Sequence, residues 1–66
     1  MKALKLLRLQ QNMTQAELAQ KMGVTQSLIA MWEREASMPS ASKLPELADL
    51  LHCTIDELYG RGRDSA

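Results

Sequence analysis

Thr14-Gln15-Ala16-Glu17-Leu18-Ala19-Gln20-Lys21-Met22-Gly23-Val24-Thr25-Gln26-Ser27-Leu28-Ile29-Ala30-Met31-Trp32-Glu33-Arg34 is the stretch that decides how the rest of this 66-residue chain is read. Its first four residues form a capping-box pattern, in which the threonine oxygen takes an orphan backbone N–H and the glutamate reaches back to the threonine N–H. A helix is predicted to start there and to bury Leu18, Ala19 and Met22. It should stop at Gly23, where a positive φ costs little. Thr25 then offers an N-cap oxygen to a next helix running to about Glu33, with Ile29 and Trp32 inward and Gln26, Ser27, Ala30 and Met31 turned elsewhere. Two helices thus meet across a short turn.

Within this unit a small residue, Ala19, lies where the two helices must cross closely. Gly23 sits at the turn, and Ile29 plugs the angle between the helices from the far side. Each is a weak signal alone. Together with two threonine caps and flanking helices, the spacing is that of a helix-turn-helix motif, whose second helix enters the DNA major groove.

Outward from the motif, apolar positions keep a helical period, broken at Asn12, at Ser37-Met38-Pro39-Ser40 and at Gly60. A first helix is expected from about Lys2 to Gln11, with Leu4 and Leu7 on one face and Leu6 and Leu9 partly outside it. Asn12 tolerates the left-handed conformation that ends a helix. Pro45 limits the start of the fourth helix, because a proline deep inside a helix costs roughly 3 kcal/mol. Ser42 as N-cap would place Pro45 in the first turn, with Leu44, Leu47, Ala48 and Leu51 as the buried stripe. Thr54-Ile55-Asp56-Glu57 supplies a second capping box for a last short helix presenting Ile55 and Leu58. The expectation is an all-α, compact five-helix domain over residues 1–60, followed by a flexible C-terminal tail, 61–66.

At this length folding buries only about 60% of the surface that the unfolded chain exposes, so stability should be modest. Cys53 is the single cysteine. An internal disulfide is therefore excluded, and a reducing, cytoplasmic setting is expected. The basic, apolar start is too short and charge-interrupted for a signal peptide or a membrane span. His52-Cys53 has no second His or Cys to complete a metal or nucleophile site, and Asp56-Glu57 is explained by the cap of the last helix. No enzyme, metal or cofactor is expected. Acidic and basic residues balance at eight each, which withholds the overall positive charge common among nucleic-acid binders. The charges are nonetheless segregated. Residues 1–34 carry Lys2, Lys5, Arg8, Lys21 and Arg34 against Glu17 and Glu33, whereas 35–60 carry Lys43 against Glu35, Glu46, Asp49, Asp56 and Glu57.

Through Thr14-Gln15-Ala16-Glu17-Leu18-Ala19-Gln20-Lys21, Thr25-Gln26 and Leu44-Pro45-Glu46-Leu47-Ala48, the chain resembles the lambda-type phage repressor and Cro family, its 434 branch in particular, over roughly residues 3 to 60. The resemblance implies a five-helix domain that binds a two-fold operator in double-stranded DNA, usually as a homodimer. It makes Thr25, Gln26, Ser27 and Met31 the base-reading positions and Gln15 a phosphate contact at the start of the second helix, where free N–H groups also point at the DNA backbone. It pairs Arg8 with Glu33 as a structural bridge from the first helix to the end of the third. Gln26 is suited to paired hydrogen bonds with adenine, Ser27 to either member of a base pair, and Thr25 or Met31 to a thymine methyl. An A·T-leaning half-site is expected, since no arginine or lysine on this face is aimed at guanine.

Two departures from the family pattern matter. Ser27 and Met31 stand where the 434 branch has glutamines, so the operator should differ. The loop after the third helix reads Glu35-Ala36-Ser37-Met38 where the family often has a glycine and basic residues, leaving Arg34, Lys43 and Lys2 or Lys5 to meet phosphates. Met31 admits three readings: base contact, partner surface, or no role. Trp32 reads as core, packed against the fourth helix or Pro39, with nucleobase stacking as the alternative. The functional expectation is a sequence-specific transcriptional regulator, a repressor of phage or mobile-element type. One alternative is an antitoxin that repressses its own promoter and binds a protein partner through Leu6, Leu9 or the tail. The other is a protein-interaction module in which DNA binding has decayed.

Overall fold

The computed structural model describes Met1 and residues 3–60, and among them it holds five α-helices and a 3-10 turn, with no strand. Lys2, expected in the first helix and as a phosphate contact, and the tail 61–66 lie outside the described residues. The helices are α1 (Leu4–Gln10), α2 (Gln15–Met22), α3 (Gln26–Glu33), α4 (Leu44–Leu50) and α5 (Ile55–Leu58). None is long and apolar enough to cross a membrane.

Helix α1 ends where Asn12 takes φ 58°, a conformation that asparagine visits more readily than most residues. Both expected capping boxes are formed. Thr14 Oγ1 accepts the Glu17 N–H at 3.0 Å while Glu17 Oε1 accepts the Thr14 N–H at 2.8 Å, and Thr54 and Glu57 do the same at 3.0 and 2.9 Å. Thr25 Oγ1 caps α3 by accepting the Leu28 N–H. Gly23 ends α2 at φ 71°.

The core joins Leu4, Leu18, Ala19, Met22, Ile29, Trp32, Leu47, Ala48, Leu51 and Leu58, closed by Met1. The α-amino group of Met1 donates to the Trp32 carbonyl near the end of α3, which also accepts the Glu35 N–H, tying the start of the chain to the motif. Leu7 and Leu44 pack against this core from partly exposed positions.

Three local expectations are corrected. Ser42 does not cap α4: its hydroxyl pairs with that of Ser40 at 3.1 Å, residues Ala41–Lys43 form the 3-10 turn, and Lys43 leads into α4 in helical conformation without a side-chain cap. The tighter turn already directs the chain into the helix, and Pro45 sits in the first turn of α4, where its missing N–H removes no helical bond. Ile55 is 37% exposed whereas Leu58 is fully buried, because a one-turn helix packed mainly on α4 covers one residue of the pair. Met31, expected to turn away from the core, is half-buried.

Candidate nucleic-acid interface

Helices α2 and α3 pack on one another more extensively than any other pair of elements. Ala19, 4% exposed, and the fully buried Ile29 both belong to the core cluster. The Gly23 N–H and the Val24 N–H return to the Gln20 and Ala19 carbonyls, closing the end of α2 before the chain turns into Thr25. This turn leaves the first residues of α3 outside: Thr25, Gln26 and Ser27 are exposed, uncharged and hydrogen-bond capable, and Met31 flanks them from its half-buried place. Arg34 is exposed just past the end of α3, and Lys43 is half-buried in the 3-10 turn.

Below this face runs a chain of side chains that joins three helices. Arg8, 6% exposed, donates from Nε to Glu33 Oε2 at 2.6 Å, from Nη2 to Glu33 Oε1 at 3.2 Å, and from Nη1 to the Met13 carbonyl at 2.7 Å. Gln15 Nε2 donates to Glu33 Oε1 at 3.0 Å, and Gln26 Nε2 donates to Gln15 Oε1 at 3.4 Å. Burial pushes the Glu33 carboxyl upward, but the hydrogen bonds from Arg8 and Gln15 and the charges of Arg8 and Lys5 outweigh it and hold the group below its ordinary value. Gln15 therefore turns its amide inward along α2 and α3. Neither its link to Glu33 nor the Met13 contact was legible in the sequence, since both depend on how the helices are placed.

Beyond the motif, Glu35 takes φ 63° and His52 φ 54°. The first lies in the loop after α3, for which the resemblance anticipates a glycine and basic residues. Cys53 is half-buried, and burial, helped by the nearby charge of Glu57, pushes its thiol above the usual range. Among the described residues no cluster of His, Cys, Asp or Glu is arranged to hold a metal ion.

Residues 4–58 match the profile of a family described as helix-turn-helix. The chain belongs to this helix-turn-helix family. Its match spans α1 to α5, so the flanking helices as well as the central pair are part of the family unit. The sequence is also 36% identical over 50 residues to a curated relative, the cryptic phage CTXphi transcriptional repressor RstR of Vibrio cholerae serotype O1, the match covering 76% of this chain and 45% of the relative. The chain thus matches about half the length of that phage repressor. The likeness to phage-repressor helix-turn-helix proteins read from Thr14 to Lys21 and Leu44 to Ala48 is borne out.

Proposed function

We propose that this chain is a sequence-specific DNA-binding transcriptional regulator, a phage- or mobile-element-type repressor that acts in the cytoplasm by occupying a promoter. The observation that carries the reading is the exposed, uncharged edge Thr25-Gln26-Ser27 at the start of α3, carried on α2 in a helix-turn-helix. Thr25, Gln26, Ser27 and Met31 read bases, with Gln26 on adenine and the apolar atoms of Thr25 or Met31 on thymine methyls, so the half-site leans to A·T. Arg34, Lys43 and the start of α2 at Gln15 meet phosphates, which set register and orientation without reading sequence. Arg8 and Glu33 hold the helices in place. A homodimer sets two α3 helices about one DNA turn, roughly 34 Å, apart on a two-fold operator. Residues 1–60 constitute the DNA-binding domain.

Binding-site selection from random duplex DNA, repeated with Gln26→Ala, tests this. A short two-fold consensus in which the variant loses selectivity at one symmetric position supports the reading. Enrichment of no sequence, with residual binding that vanishes as salt rises, defeats it and favours an interaction module.

A second reading has its own observation. Leu6 and Leu9 are 60% and 50% exposed on α1, and Leu6 borders a pocket of about 290 Å³ that Leu7, Leu51 and Cys53 also line. An antitoxin would use such a surface for its toxin. A small protein that co-purifies in fixed ratio and is lost on Leu6→Glu would favour that role over a free-standing repressor.

A further inference from the structure

The direction of every hydrogen bond below the α3 edge follows from its buried end. A guanidinium only donates and a carboxylate only accepts. Glu33, taking both Arg8 donors on its two oxygens, can therefore offer Gln15 nothing but an acceptor. Gln15 must turn its NH2 group to Glu33, which leaves its carbonyl oxygen facing α3, and Gln26 must then turn its own NH2 group to that oxygen. What remains on Gln26 for a ligand is one carbonyl oxygen and one N–H, the pair that matches the N6 donor and N7 acceptor of adenine.

We propose that Glu33 is a positioning residue for base recognition: acting through Gln15, its carboxylate sets which way round the Gln26 amide is presented to the major groove. This deepens, and rests on, the base-reading role given to Gln26 above. The final link is long, at 3.4 Å, and open to water. Its effect is accordingly that of a single solvent-exposed hydrogen bond, roughly two- to tenfold in preference at one position.

Glu33→Gln reverses the logic at nearly constant shape. Arg8 Nε keeps the amide oxygen at the place of Oε2, Arg8 Nη2 loses its acceptor, and the NH2 group at the place of Oε1 faces Gln15; Gln15 inverts, and Gln26 follows. Binding-site selection with wild type, Glu33→Gln, Gln15→Ala, Gln26→Ala and the double variant Gln15→Ala/Gln26→Ala tests the relay, with folding of each checked by circular dichroism. Gln15→Ala leaves the Arg8–Glu33 pair intact and, by keeping the preference, would overturn the relay even if Glu33→Gln does not fold.

The expected result is that Gln15→Ala, and Glu33→Gln if folded, weaken preference roughly two- to tenfold at the same symmetric position that Gln26→Ala affects. The double variant should then show no further loss of preference there. A purely structural role, or a lost phosphate contact, would instead lower affinity evenly for all sequences. If Gln26→Ala loses the position and the other variants keep it, the relay is wrong and base reading by Gln26 stands. If Gln26→Ala changes no position, both fall together.

Discussion

Arg8 on α1 and Glu33 at the end of α3 meet in a two-pronged ion pair whose shorter contact is 2.6 Å, with only 7% of each side chain exposed. They are 25 residues apart in the chain, so the pair forms only when α1 lies against α3. Removing one partner strands the other in a desolvated place. Glu33→Ala should cost about 3 kcal/mol or more, whereas Glu35→Ala, at an exposed position, should change stability by no more than about 0.5 kcal/mol. Urea melts of the two variants check this, and equal midpoint shifts would refute it.

The same pair makes an acid-sensitive contribution. Because Glu33 is held below its ordinary value, the folded state binds fewer protons than the unfolded one through the carboxylate range, and stability rises with pH there. The contribution is complete above about pH 5 and is lost as pH falls below the unfolded glutamate value of about 4.3. Stability measured from pH 6 down to pH 3 should therefore drop less steeply for Glu33→Gln than for wild type. Parallel curves would show that other carboxylates carry the acid response.

Glu35 holds φ 63° on an exposed loop beside the proposed DNA-binding face. A left-handed non-glycine residue costs on the order of 1 kcal/mol, partly offset in a glycine by the greater freedom of the unfolded chain. Glu35→Gly should raise stability by about 0.5 kcal/mol and, by removing a negative charge near phosphates, tighten DNA binding. Glu35→Ala should give only the second effect. A melt and a binding isotherm at fixed salt separate the two.

Gly23 presents the converse case. A Cβ built there meets nothing within 4 Å, so the space is open, but φ is +71°. Gly23→Ala should cost about 1 kcal/mol, the penalty of the left-handed backbone alone, and Gly23→Asn should recover part of it. A loss of several kcal/mol in the alanine variant would mean that the turn has moved.

Much of the fold could be read in advance because it is governed by contacts within a few residues. A threonine three places before a glutamate can close a capping box within a single turn of backbone, so the starts of α2 and α5 were legible at Thr14 and Thr54. Gly23 and Asn12 marked their turns by the backbone conformations they tolerate, and the helical spacing of Leu18, Met22, Ile29, Trp32 and Leu47 marked the core. Local signals failed where two local solutions compete. Ser40 and Ser42 satisfied one another, leaving the expected cap of α4 unused.

What the sequence by itself determined, then, is a set of helices with defined ends, one buried stripe on most of them, and an uncharged edge at Thr25-Gln26-Ser27. Tertiary structure alone decided which distant groups share a bond: the Met1 amine with the Trp32 carbonyl, and Gln15 with both Glu33 and Gln26. Caps depend on a single turn of backbone, whereas these links depend on the angle and separation at which whole helices cross. Those are set by the summed packing of a core and not by any one residue within it.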